Sequence, residues 1–274
     1  MDELRRAMGG PLGPQPARFV VPVASGKGGV GKSTVSLNLA LALSQAGSSV
    51  GLLDADFYGP DIPRMVNLAR KVHLKSWTMY SRSRRKIDPL DVHGLKLMSM
   101  GFLVGEDQSV DVSGWVDFLL GQMFRDVAWG ELDYLIVDLP PGTADLQVRL
   151  AKEVQLAGAI LVVTPQDVAH LDAKKVLTMY RDAGVRVLGA VENMSGLRCP
   201  GCSESIDVFP RVREDRSIWA LGVDKLMDIP LDPQVAQAGD DGRPLLVAHP
   251  DSPQSQAFRD LARRVSRVLE PTGA

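Results

Sequence analysis

The sequence predicts a single α/β domain: a mostly parallel sheet with helices on both faces. Three observations lead there. Short apolar runs alternate with longer segments of helical periodicity along most of the chain. Several of the apolar runs deliver glycines or carboxylates at their carboxyl ends, the edge where open α/β sheets bind ligands. At 274 residues, 45% hydrophobic and 23% charged, the chain is long enough to bury one core of ordinary density.

Residues 1–17, rich in glycine and proline from Gly9 to Pro16, read as a flexible lead-in, and the domain is expected to span 18–274. Phe19-Val20-Val21-Pro22-Val23-Ala24 reads as a buried strand. Pro22 is discordant within it, because a proline gives up one ladder hydrogen bond; either its missing N–H faces an unpaired side or the strand starts later. Gly26-Lys27-Gly28-Gly29-Val30-Gly31-Lys32-Ser33 then fits the phosphate-binding pattern G-x-x-x-x-G-K-[ST], with Thr34 next to it. The glycines let backbone N–H groups turn inward around a polyphosphate, Lys32 supplies a point charge, and Ser33 would bind Mg²⁺ through its hydroxyl. A helix over Val35–Gln45, closed by Gly47, completes the strand–loop–helix setting and aims its positive end at the same anion.

Val50–Asp56 reads as the next apolar strand, ending in two carboxylates, Asp54 and Asp56, spaced to point the same way. Asp56 reads as functional; for Asp54 a catalytic carboxylate and one that caps the next turn both stand. Tyr134–Asp138 is a third strand, and an aspartate at such a carboxyl end holds Mg²⁺, often through a water. Gly94–Met98, Ala159–Val163 and Arg186–Val191 also read as strands. Trp115–Val127, Ala144–Val154, Val168–Ala183 and Ser252–Leu269 read as helices.

Together the loop and the two strand ends resemble the P-loop ATPases with a deviant Walker A motif, the group that holds MinD and ParA, nitrogenase reductase and the Mrp/ApbC-type iron–sulfur cluster carriers. Lys27 is the lysine that marks the group. The resemblance implies ATP as the nucleotide and a face-to-face homodimer. It implies that Lys27 reaches the partner's ATP, that Asp56 orients the attacking water, and that Asp138 lies in the second switch region. The catalytic candidates are thus Lys27, Lys32, Asp56 and Asp138. A lysine supplied in trans would stabilise charge as an arginine finger does.

Within the group, Glu192-Asn193-Met194-Ser195, Cys199-Pro200-Gly201-Cys202 and Ile229-Pro230-Leu231-Asp232-Pro233 occur in the order of the Mrp-type carriers. Met98–Leu103, Asp138–Thr143 and Thr164–Ala169 are also similar to that family, so the likeness runs from about residue 18 to about 260. It implies that Asn193 faces adenine, with the backbone of Pro230–Pro233 close by; an asparagine that simply closes a turn is the alternative.

Both of the chain's cysteines lie in the C-x-x-C. A cubane cluster usually takes four thiolates, as does a structural Cys₄ zinc site. Cys199 and Cys202 from two copies related by a two-fold axis would complete either set, and the dimer implied by Lys27 offers such an axis. The expected cargo is an iron–sulfur cluster, 4Fe-4S, shared between two chains. Bridging zinc and a redox dithiol are the alternatives, since thiolates suit all three. Pro200 and Gly201 favour a knuckle in a loop over a thioredoxin-like helix start.

The chain departs from the family in three places. Val208–Arg216 replaces a glycine-rich stretch after the cysteines, Val112-Ser113-Gly114-Trp115 replaces a Trp-Arg-Gly step, and Ala144 replaces a glycine. None removes a phosphate, magnesium or cysteine ligand; they bear on dimer contacts and the cysteine loop.

A net charge of −2 argues against a dedicated nucleic-acid binder. No apolar run is long enough to cross a membrane and no signal peptide is evident, and two sparse cysteines fit a reducing cytoplasm. Arg70–Lys86 holds seven Lys or Arg and no acid, interleaved with Trp77 and Tyr80, a pattern that either tracks phosphates or marks a solvated loop. The last helix sets an apolar face, Phe258, Leu261, Val265, Val268 and Leu269, among arginines; packing on the sheet is preferred over a membrane surface. The expected function is an ATP-hydrolysing iron–sulfur carrier that passes its cluster to apoproteins. The alternatives are a MinD/ParA-like positioning ATPase acting on membrane or DNA, and a nucleotide-binding relative without the cluster.

Overall fold

The computed structural model describes residues 15–68, 80–81, 86–102, 116–142, 144–199, 201–202 and 204–270. The basic run from Arg70, the Val112–Trp115 step and residues 1–14 of the lead-in lie outside them, apart from the short strands at 80–81 and 86–87. The elements are β1 (Phe19–Ala24), α1 (Lys32–Gln45), β2 (Val50–Asp54), α2 (Ile62–Met65), β3 (Tyr80–Ser81), β4 (Lys86–Ile87), β5 (Leu90–Val92) and β6 (Leu95–Ser99). There follow α3 (Val116–Arg125), β7 (Tyr134–Asp138), α4 (Ala144–Glu153), β8 (Ala159–Val163), α5 (Asp167–Asp182), β9 (Val187–Arg198), β10 (Ser205–Ile206), β11 (Lys225–Leu231), α6 (Pro233–Asp240), α7 (Leu245–Ala248) and α8 (Pro253–Leu269).

The main sheet runs β6–β2–β7–β1–β8–β9–β11, parallel throughout, with β5 antiparallel on β6 and β10 antiparallel on the carboxyl end of β9. Every residue of β2, β7 and β8 is buried. That is the mark of strands covered on both faces, and it is why these runs are continuously apolar rather than alternating. Helix α1 is buried from Val35 to Leu43, lying between the sheet and α8. Phe258, Leu261, Ala262 and Val265 of α8 are buried against α1 and β11, so the apolar face of the last helix is spent on the core. No helix among the described residues is long and apolar enough to cross a membrane.

Pro22 is accommodated on one side. β1 pairs continuously with β7 from Phe19 to Val23, whereas its pairing with β8 begins only at Val23. Val20 accepts from Ala157 N on the β8 side, and alternation points the nitrogen of Pro22 the same way, into the gap before the β8 ladder starts.

Three sequence expectations are corrected. Gly94 does not begin a strand: His93 (φ 51°) and Gly94 (φ 82°) form a two-residue turn between β5 and β6, the left-handed pair that matches strand twist. The strand expected to stop at Val191 continues to Arg198, because β11 and then β10 take up its hydrogen bonds beyond Met194. Part of the lead-in is docked, with Ala17 buried and Gln15 Nε2 donating to the Gln155 carbonyl at 2.8 Å.

Candidate nucleotide site and cysteine hairpin

The loop from Ser25 to Gly31 joins the carboxyl end of β1 to α1. Its glycines answer to separate constraints. Gly31 has φ 81°, and a Cβ there would lie 2.2 Å from Asn193 Nδ2; a Cβ on Gly26 would lie 2.2 Å from the backbone of Asp172 in α5. Around Gly29, with φ 77°, the space is open. No side chain caps the start of α1, so the free N–H groups of its first turn are left for a ligand. A cleft of about 650 Å³ opens over this loop, lined by Asp56, Tyr58, Arg64, Met65, Met194 and residues along the length of α6. Val235 and Ala236 of α6, just past the Pro230–Pro233 segment, line this cleft.

Three carboxylates gather at the floor. Asp54 and Asp138 are register partners at the ends of β2 and β7, and both are fully buried. Lys32, itself 6% exposed, places Nζ 2.9 Å from Asp138 Oδ2 and 3.6 Å from Asp56 Oδ2. Ser33 Oγ donates to Asp138 Oδ2 at 2.6 Å. Asp54 and Asp56 part company, because the strand ends at Asp54. Asp54 Oδ1 accepts the Asp56 N–H and Oδ2 accepts Ser99 Oγ at 2.8 Å, the turn-capping role. Asp56 Oδ1 accepts from Tyr58 N and Gly59 N, while Oδ2 turns to Lys32. Burial, with the charge of Asp138 second, pushes Asp54 well above the usual carboxylate range. Burial raises Asp56 too, against the pull of Lys32. A serine hydroxyl beside a carboxylate is a hard-oxygen donor pair that fits Mg²⁺. Among the described residues no cluster of three or more His, Cys, Asp or Glu forms a cage, so phosphate oxygens and water would complete the shell.

Lys27 is half-buried, and its Nζ donates to Gln166 Oε1 at 3.4 Å. Asn193 is buried in the middle of β9 and does not close a turn; its Nδ2 donates to the Val30 carbonyl at 2.8 Å, bracing the loop.

The cysteines sit at the tip of the β9–β10 hairpin. Cys199 N donates to Glu204 O at 2.8 Å, Cys199 is half-buried, Cys202 is exposed, and both are free thiols. Backbone N–H groups of Cys202 and Gly201 reach the sulfur of Cys199 and hold its thiol below the usual range. The two thiols stand together in one short knuckle, with the Cys199 proton loosened by backbone N–H groups.

A sequence profile described as ParA: NUBPL iron-transfer P-loop NTPase matches residues 17–266. The chain belongs to this family. It is 42% identical over 255 residues to the iron-sulfur cluster carrier protein of Aquifex aeolicus, covering 92% of this chain and 68% of that one. It is 42% identical over 252 residues to the iron-sulfur cluster transfer protein NUBPL of Dictyostelium discoideum, covering 92% and 76%. Among solved structures, a nucleotide-binding protein of Archaeoglobus fulgidus in complex with ADP superposes with a TM-score of 0.69 at 34% identity, covering 89% and 93%. The cell division ATPase MinD of Pyrococcus furiosus, at 22% identity and a TM-score of 0.65 over 92% and 99%, shares the fold.

In this NUBPL-family chain the segment after the cysteines forms an ionic strap. Arg211 pairs with Asp207 at 2.8 Å and lies 3.9 Å from the buried Glu192; Val212 N donates to Pro165 O, and Arg216 pairs with Asp167 at 2.7 Å. Glu192 also holds Lys225 at 2.9 Å. These contacts, and Ser36, whose Oγ donates to Asp138 Oδ1 at 2.7 Å, were not foreseen from sequence. Ser36 carried a signal: it lies three positions after Ser33 and so shares its helix face. Arg211 and Glu192 lie far apart in sequence, and no periodicity pairs them.

Proposed function

We propose that this chain is an ATP-hydrolysing carrier that holds an iron–sulfur cluster between the cysteine hairpins of two copies and passes it to apoproteins. One observation carries the reading: a single strand, β9, braces the phosphate loop through Asn193 and leads directly into the Cys199–Cys202 knuckle, where Cys199 is half-buried and Cys202 exposed. The names of the relatives, iron-sulfur cluster carrier and transfer proteins, support the same reading. Two thiols per chain leave a cubane cluster two ligands short, and a second copy supplies them.

On this reading the free N–H groups at the start of α1 and the loop glycines cradle the phosphates. Lys32 moves from Asp138 and Asp56 to the phosphate oxygens, trading carboxylate partners for phosphoryl ones without leaving the buried site. Ser33 and Asp138 would hold Mg²⁺, which would neutralise charge on the phosphates. Asp56, beside Lys32 at the cleft wall, orients the attacking water, and Lys27 leaves Gln166 to reach the nucleotide of the partner copy. Hydrolysis reshapes the turns after Asp56 and Asp138.

Anaerobic transfer to an apo-ferredoxin tests the coupled reading. The cluster-loaded protein should activate the acceptor, with a rate that changes on adding Mg-ATP, and the Cys199→Ala, Cys202→Ala variant should transfer nothing. Transfer unaffected by nucleotide would break the coupling, and transfer by the cysteine-less variant would break the carrier reading.

A further inference from the structure

We infer that Ser36 is a positioning residue for the Asp138 carboxylate, and through it for the divalent-ion side of the nucleotide site; this rests on the ATPase reading above. Ser36 is fully buried on α1. It and Ser33 lie three apart on one helix face, and they take one oxygen each of the same carboxylate. Ser33 Oγ is 2.6 Å from Oδ2, and Ser36 Oγ is 2.7 Å from Oδ1. Lys32 adds a second contact to Oδ2 at 2.9 Å. The two oxygens are therefore unequal: Oδ2 meets the groups that serve phosphate and ion, and Oδ1 meets the hydroxyl behind them.

The terminal torsion of an aspartate is broad, so its plane is fixed by partners and not by its own rotamer well. Of the three partners seen here, Lys32 and Ser33 are the two that turn toward a bound nucleotide and its ion. Ser36 has no exposed surface and stays. Its single proton faces two acceptors, Asp138 Oδ1 at 2.7 Å and the Lys32 carbonyl at 3.0 Å, and the shorter, charge-assisted bond takes it. The hydroxyl thus keeps Oδ2 aimed at the ion side when the other two contacts have gone. Groups that orient a carboxylate from behind a metal site commonly cost 10–100-fold in metal affinity when removed.

The test compares wild type, Ser36→Ala and Ser36→Thr by calorimetric titration of ADP at graded Mg²⁺ and in EDTA, with thermal melts as the folding control. Ser36→Ala should raise the Mg²⁺ concentration for half-maximal tightening of ADP binding by about 10-fold. It should leave ADP affinity in EDTA within about 2-fold of wild type, since the Mg²⁺-free contacts are untouched. Ser36→Thr, which keeps the hydroxyl, should restore the Mg²⁺ response. An unchanged Mg²⁺ response in Ser36→Ala, or an equal loss with and without Mg²⁺, would overturn the inference while leaving the nucleotide site standing. Wild type that binds no ADP would overturn the nucleotide reading itself and this inference with it.

Discussion

Lys32 and Lys27 differ by five positions and by what surrounds them. Lys32 is 6% exposed between two carboxylates, a charge that the fold has already desolvated and neutralised. Lys27 rests on a neutral amide oxygen at 3.4 Å and can leave it at little cost. Lys32→Ala should therefore abolish binding of a fluorescent ADP analogue, whereas Lys27→Ala should bind it as wild type does and lose phosphate release by about 10³-fold, the scale of a charge supplied in trans. Turnover in Lys27→Ala equal to wild type would remove the trans role. Gly31 gives a second residue-scale prediction. With φ 81° and a Cβ that would meet Asn193 Nδ2 at 2.2 Å, Gly31→Ala combines backbone strain with a clash. It should cost about 1–3 kcal/mol in urea unfolding and weaken ADP binding. Asn193→Ala in the same chain should recover part of both losses, because it removes the clash but not the strain. The loop lysines, Ser33 and Asp138 were legible because their spacing is itself the chemistry. Ser36 and Gln166 were not, because a serine in a helix and a glutamine before one have many uses, and only the fold sets them against Asp138 and Lys27.

At the scale of elements, β9 is where sequence and structure diverge most. Its first half is an apolar run and was readable; its second half passes through Met194 (φ 57°) and Gly196 (φ 91°), breaks the pattern, and is kept extended only by β11 and β10. Strands of two or three residues such as β5 and β10 leave no periodicity to read. Strands β1, β2, β7 and β8 and the helices α5 and α8 declared themselves, since burial on both faces or on one stripe writes directly into the pattern. Glu192 ties these elements together from inside. Burial alone would raise its pKa, but the hydrogen bond and charge of Lys225 at 2.9 Å outweigh it and push it down to about 2. A carboxylate depressed in the folded state contributes stability above its ordinary value of 4.5 and loses it as pH falls toward about 2. The urea midpoint of Glu192→Gln should accordingly lie below wild type at neutral pH and fall less steeply on acidification through that window. Parallel acid profiles for the two proteins would show that Glu192 does not carry the linkage.

For the molecule as a whole, the arrangement is one of edges. The phosphate loop, Asp54 and Asp56, Asp138, Gln166 and the end of β9 all lie at the carboxyl ends of strands, so the glycine loop and the thiols share one rim of the sheet. The doubly covered parallel sheet was predictable from the alternation of apolar runs and helices. That the cysteines would stand at the tip of the strand that braces the phosphate loop was not, because a C-x-x-C fixes its own spacing and nothing about its distance from Gly31. Whether a cluster is shared between two chains is decided by anaerobic reconstitution with iron and sulfide, followed by metal and sulfide quantification against protein mass in solution. The expected result is one four-iron cluster for every two chains of wild type, with a dimeric mass, and none in the Cys199→Ala, Cys202→Ala variant. Iron retained by the variant, or a full cluster on a monomer, would contradict it.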